Sequence, residues 1–400
     1  MTRARPPVAA LAIVVALALG ACGGGPILAN APLVLTVPPT APPATATPAD
    51  PLPIAFPRDD GPHSRLTEWW YYTGHLETTD GRHFGFEAVI FRADRGEIPV
   101  AWASHLALTD ESAGRFLYAQ RSEIGPAADR SPHDDAGNPT GFDLGVVGFN
   151  PADPTATPPV PWRLAGSGGS DQIQAALSPI EAEGAGGSFG LDLSLGSKVP
   201  PVPHDSIGWV PFGPAGGSYY YSRTRLAVGG TLLLDGAALP VTGTAWFDHQ
   251  WGDFISVGGG GWDWYAVNLA NGTDLTLSLV RAADGTFPIV YGTFVDPTGT
   301  ASHLDASAFT VSSTGTWQSP ATGATYPAGW RIEVPSRRLA ITLTPTVANQ
   351  ELNTRPTTGV VYWEGSQRVA ATLAGQPLGG EAYVELTGYA PASSPASVAP

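Results

Sequence analysis

Cysteine and lysine are almost missing from this chain: Cys22 and Lys198 are the only ones in 400 residues. A single thiol excludes any intramolecular disulfide, so no covalent staple holds the fold. Charge is sparse as well, at 14 % of residues, and 20 basic against 35 acidic residues leave a net charge of -15. That balance argues against nucleic acid as a partner and against a polybasic membrane patch. Helical periodicity is nearly absent. Metal signatures are lacking too, because the eight histidines contain no His-x-His or His-x-x-x-His pair, and neither a metal nor another cofactor is expected.

What is present begins at the N-terminus. Arg3 and Arg5 precede an uncharged stretch from Pro6 to Ala21 that closes on Leu19-Gly20-Ala21-Cys22. A basic start, an apolar middle and small residues before a cleavage point make a bacterial secretory signal, and roughly 16 apolar residues fall short of the ~20 that span a bilayer. The tetrapeptide resembles a lipoprotein lipobox. That resemblance implies cleavage before Cys22, acylation of its thiol, and a protein held in the cell envelope on the extracytoplasmic side of a bacterial membrane. Residues 23–57 are dense in Pro, Ala and Thr and read as a disordered tether.

The body is all-β. Short alternating runs separated by Gly, Pro, Asn and Asp recur from Trp69 to Tyr389, the pattern of strands and turns. Phe84, Phe86, Ala88 and Ile90 share one face of a strand that follows an Asp80-Gly81 turn, where Gly accepts the positive φ a tight hairpin needs. A similar hairpin runs from Trp262 through Asn271-Gly272 to the alternating Leu275, Leu277 and Leu279. Glu68-Trp69-Trp70-Tyr71 can be laid over Trp262-Asp263-Trp264-Tyr265. Roughly 190 residues separate the two, which fits a duplicated domain and not a short-period repeat. The expected division is 58–245 and 246–392. Gly186-Gly187-Ser188-Phe189-Gly190 spells a nucleophile elbow, yet Leu191, Leu193 and Leu195 alternate after it as in a strand where that motif needs a helix.

Three blocks carry a family resemblance: Glu68-Trp69-Trp70-Tyr71-Tyr72-Thr73-Gly74; Tyr220 to Leu226 with Gly243-Thr244-Ala245-Trp246-Phe247-Asp248-His249-Gln250-Trp251-Gly252; and Tyr362-Trp363-Glu364-Gly365 with Tyr383 to Tyr389. They resemble the lipocalin-like family that includes bacterial carotenoid 1,2-hydratases and the AttH-type proteins. The resemblance implies two tandem lipocalin-like antiparallel β-barrels with the Asp-His-x-Trp block near their junction. In the hydratases activity is attributed to a His-x-Trp pair and a downstream Tyr-x-Asp pair. His249-Gln250-Trp251 matches the first, and Asp263-Trp264-Tyr265 offers the second in reversed order.

Hydrating an isolated C=C needs a proton delivered to carbon and water captured by the resulting cation. A carboxylic acid must then be held neutral, as an apolar pocket does, and aromatic faces near the cation stabilise it. Asp248, His249, Asp263 and Tyr265 are the candidate catalytic residues, expected to converge with Trp251 on one apolar cavity. Glu68, Trp70, Tyr72, Trp251 and Trp264 are the candidate ligand contacts, although alternating aromatics on a strand equally fill a barrel core, and Glu68 could simply pair with Arg223 or Arg225. Two functions stay open: an apolar, isoprenoid-like or carotenoid-like ligand that is hydrated, or one that is bound and delivered unchanged in association with an ABC transporter, as the AttH-type resemblance implies. Replacing Cys22 with Ser should release the protein from membranes or leave an unprocessed precursor on a fractionation blot; a variant that stays membrane-bound and is cut at the same place would contradict the anchor.

Overall fold

The structure is a computed structural model that describes residues 50–148, 160–205, 207–212, 216–254 and 259–391. Cys22 and most of the expected tether lie outside the described residues. Two large antiparallel sheets contain nearly all of the described strands. The first contains β1 (Thr67–Thr78), β2 (His83–Arg95), β3 (Ile98–Asp110), β4 (Arg115–Ile124), β5 (Phe142–Val146), β6 (Trp162–Ser167), β7 (Ser170–Ala176), β8 (Phe189–Ser197), β9 (Val202–Pro203), β10 (Trp209–Pro211), β11 (Gly217–Leu234) and β12 (Ala237–Gly252). The second contains β13 (Gly259–Leu269), β14 (Asp274–Ala282), β15 (Ile289–Val295), β16 (Ala301–Asp305), β17 (Thr310–Ser313), β20 (Trp330–Val334), β21 (Leu339–Pro345), β22 (Glu351–Asn353), β23 (Val361–Leu373) and β24 (Gln376–Thr387), with β18 (Thr316–Gln318) and β19 (Thr325–Pro327) as a separate ribbon.

The duplication expected from the hairpins is visible in the strand order. The first sheet runs β4-β3-β2-β1-β12-β11-β8-β7-β6-β5 and the second β16-β15-β14-β13-β24-β23-β21-β20-β17. Each curls into a half-barrel around its own core. The end strands of the first sheet do not pair with each other, so the barrels are open and not fully closed. Strand β8 starts at Phe189, which removes the strand-to-helix elbow that Ser188 would need.

Burial patterns show how the halves meet. Strand β7 alternates strictly, exposed and buried, because one face meets the core and the other meets water. In β1 all but two residues are buried, so it packs on both faces. One face of β1, with Trp70 and Tyr72, belongs to the first core. The other face, with Tyr71 and Trp69, packs with Trp246, Trp264 and Tyr383 between the sheets. Hydrogen bonds clamp this seam, among them His105 Nδ1 with the Tyr362 hydroxyl at 2.7 Å, Thr109 Oγ1 to Gln350 at 2.7 Å, Thr224 Oγ1 to Asp274 at 2.7 Å and His204 Nδ1 with Thr293 Oγ1 at 2.9 Å.

Two expected boundaries differ from the structure. Strand β12 pairs with β1 from Val241 to Gly252, so the first sheet continues through the expected 245/246 division and the change of sheet follows Gly252. The end of the expected tether is docked: Arg65 binds Asp50 at 2.8 Å, the Leu52 N–H donates to the Tyr219 hydroxyl at 2.7 Å, and Phe56 meets Tyr221 edge-on at 4.9 Å. Among the described residues no helix is long and apolar enough to cross a membrane. Gly243 faces the His75 carbonyl so closely that a Cβ would collide with the backbone of β1. Gly243→Ala should therefore lower stability by about 1–3 kcal/mol, the usual range for overpacking, read as a shift in the denaturation midpoint.

Candidate functional site

The seam encloses a cavity of about 100 Å³, walled by Trp69, Tyr71, Phe91, Trp262, Trp264 and Tyr362 and pierced by three carboxyl groups, Glu87, Asp248 and Glu385. Strand register explains how they meet. Across β2, β1 and β12, Val89, Tyr71 and Asp248 lie side by side, and Glu87, Thr73 and Trp246 form the next row. On the facing sheet Trp264 lies beside Glu385, and Glu385 directly opposite Glu364. Like charges placed opposite one another on a sheet are destabilising. Here Glu364 is buried and Glu385 half-buried, so the register itself argues against both being ionised.

None of these four carboxyls has a basic partner within salt-bridge distance among the described residues. Burial pushes Glu87 up to about 8, and Asp248 and Glu385 up to about 7. Glu364 is raised well above the ordinary carboxylate range by burial and by Glu87 and Glu385 beside it. The polar contacts sort the group. Asp248 accepts from Tyr220 at 2.5 Å, from Trp246 Nε1 at 2.7 Å, and from Ser222. Trp262 Nε1 donates to Glu385 at 2.9 Å and the Tyr362 hydroxyl to Glu87 Oε1 at 2.7 Å. Among the described residues Glu87 Oε2 has no hydrogen-bond partner, and Glu364 has only the Tyr71 hydroxyl beside it.

Only Asp248 and Trp264 of the residues expected from the sequence line this cavity. His249 and Trp251 project from the opposite face of β12 into the first half-barrel, where His249 stacks on Trp70 at 4.6 Å and Trp251 on Tyr219 at 5.2 Å. Glu68, Trp70 and Tyr72 share that interior face. Glu68 pairs with His63 and His249 instead of an arginine at hydrogen-bond distance; Arg223 binds Asp60 and Arg225 binds Asp274. Asp263 and Tyr265 do share a face, but it is the interior of the second half-barrel. There Asp263 is held by Arg281 at 3.0 Å and Tyr389 at 2.9 Å, and Tyr265 packs edge-on against Trp330. The expected convergence of Asp248, His249, Asp263 and Tyr265 with Trp251 therefore does not occur, because strand alternation sends neighbours to opposite faces. Glu87, Glu364 and Glu385 were missed, although Glu364 and Glu385 sit inside the third recognised block. Their signal was an acid placed within an aromatic strand.

A metal-capable cluster stands on the interior face: His63, Glu68 and His249 bring ligand atoms within 4.8 Å of one another. The three are too far apart in sequence for any spacing signature to reveal them.

A family model described as AttH-like matches residues 47–389. The chain belongs to the AttH-like family. An AttH protein from Nitrosomonas europaea shares 29% sequence identity, with a TM-score of 0.69, covering 87% of this chain and 100% of that one. Kievitone hydratase from Nectria haematococca shares the fold at 14% identity and a TM-score of 0.60, over 84% of this chain and 94% of that one. No curated protein matches significantly. The matched span includes both faces of β1 and β12, and so both groups of polar residues.

The buried acids carry a pH signature. A carboxyl whose folded pKa is raised binds more protons folded than unfolded, so its stabilisation is present below its unfolded pKa and disappears as pH rises through the folded value. His105 and His204, lowered to about 3 by burial, act with the opposite sign, but only below their unfolded pKa near 6.5. Between about pH 6.5 and 8.5 the carboxyls act without that opposition, and thermal stability should fall, on the order of 1 kcal/mol per pH unit for each group crossing its pKa. Glu87→Gln, neutral throughout, should flatten that fall in a calorimetric pH series.

Proposed function

We propose that this protein binds the end of an apolar, isoprenoid-like chain in the seam cavity and hydrates a C=C there by acid catalysis. The single observation that supports this most is the set of buried carboxyls without a counter-cation around an aromatic cavity, a site that keeps a carboxylic acid protonated near neutral pH. A volume of about 100 Å³ has room for roughly seven to ten water-sized groups. That suits a terminal branched alkene and not a whole polyene, the rest of which would lie outside the cavity. The same fold houses a hydratase in Nectria haematococca, so the scaffold is compatible with such chemistry.

The roles follow from the contacts. Glu87, pushed up to about 8 by burial, has one oxygen free of partners. It donates its proton to the less substituted alkene carbon, and the cation forms at the more substituted one, faced by Trp69, Trp262 and Trp264. Asp248, pushed up to about 7 by burial, is divided between its two forms near neutral pH, and its three hydrogen bonds favour the ionised one. It takes a proton from the water that adds to the cation. The proton returns from Asp248 to Glu87 through water admitted to the cavity as the product leaves. The net change is C=C plus H2O to a tertiary alcohol, with both acids restored. We further propose that acylated Cys22 holds this site beside the membrane that supplies the ligand.

The test has two parts. Lipid extracted from the purified chain and identified by mass spectrometry should contain an isoprenoid. With that compound as substrate, Glu87→Gln should lower turnover by about 10^2 to 10^4, the typical worth of general acid catalysis, while binding stays within a few-fold. A bound ligand that is never converted by the wild-type protein would refute the hydratase reading and favour delivery.

A further inference from the structure

The interior face of β1 and β12 carries an assembly that the seam chemistry does not use. His63 lies on the segment leading into β1, Glu68 at the start of that strand, and His249 on the neighbouring β12. Glu68 Oε1 is 2.7 Å from His63 Nδ1 and 2.9 Å from His249 Nε2. One carboxylate oxygen and two imidazole nitrogens thus point at a common centre. We propose that His63, Glu68 and His249 bind one divalent transition-metal ion of the zinc class.

Three features support a ligand set over an ordinary hydrogen-bonded cluster. The first is chemistry: two imidazoles and one carboxylate suit zinc and its first-row neighbours, and three protein ligands leave a fourth position for water. Second comes geometry. Donor atoms around a tetrahedral zinc lie about 3.3 Å apart, given metal–ligand distances of 2.0–2.2 Å. The three atoms, all within 4.8 Å of one another, reach that spacing by small shifts.

The third is preorganisation. The His63 ring lies flat on Trp251, with centroids 4.1 Å apart and planes 1° from parallel, and His249 stacks on Trp70. The second oxygen of Glu68 is already occupied, accepting the His63 backbone N–H at 2.9 Å. Arg92 stands 3.9 Å from that same far oxygen, so its charge is off the proposed centre. Outer contacts of this kind orient metal ligands and tune their affinity. Access is through His63, whose side chain is 19% exposed while Glu68 and His249 are at 0%.

The experiment uses the full chain, stripped with chelator and titrated with Co2+ and then Zn2+. Expected are one equivalent of Co2+ per chain, a visible ligand-field spectrum of a four- or five-coordinate site, and its loss on adding Zn2+. His63→Ala, at the partly exposed edge, should abolish stoichiometric binding with an unchanged circular dichroism spectrum; Glu68→Gln and His249→Ala should do the same where they fold. His133→Ala, on an exposed loop, should leave binding intact. Failure of the wild-type chain to retain either ion, or full retention of one equivalent by His63→Ala, would overturn the proposal. Neither result bears on the seam cavity, which shares none of these side chains.

Discussion

Two curled sheets pressed together along one apolar seam impose the constraint on which the rest depends. Strands in the middle of each sheet have no face left for water, so every polar group on them must find a protein partner or lose its charge. Two imidazoles take the first course and pair across the seam, His105 with Tyr362 and His204 with Thr293. The carboxyls take the second. Glu364 and Glu385, opposed on neighbouring strands with no arginine between them, are driven toward neutrality by the same burial that holds the halves together. The acids are thus a consequence of the packing, and the reactivity proposed for them needs no further device.

Strand β12 joins two chemistries through its alternation. Asp248 turns to the seam and gathers donors from Tyr220, Ser222 and Trp246. His249, one residue on, turns to the interior and meets Glu68. The polar groups on the two faces differ in kind: uncompensated acids on one side, an imidazole–carboxylate set with arginines nearby on the other. A single strand thus contributes side chains to two sites on opposite faces of its sheet.

Much was legible in the sequence. Alternation and Asp-Gly or Asn-Gly turns gave an all-β body, and the likeness of two distant hairpins gave the duplication that the shared strand order displays. The unbroken aromatic run Trp69 to Tyr72 was legible in composition but not in meaning. Such a run marks a strand buried on both faces, and only its alternate members reach the cavity. The overlay of Trp70 on Trp264 holds as shared topology and not residue by residue, because a register difference of an odd number of positions moves a side chain to the other face; Trp264 corresponds by face to Tyr71 or Thr73.

The sequence by itself determined the class of secondary structure, the repeat and the residue types available, because periodicity and turn chemistry are local. Which face of each strand meets the other half was decided only by tertiary structure. Glu364 and Glu385 meet across a local hairpin, but Glu87 came beside them, and His63 beside His249, only by packing together segments well over a hundred positions apart. Proton affinity was decided there as well, since a carboxyl's pKa depends on the water and charge around it and not on its neighbours in the chain.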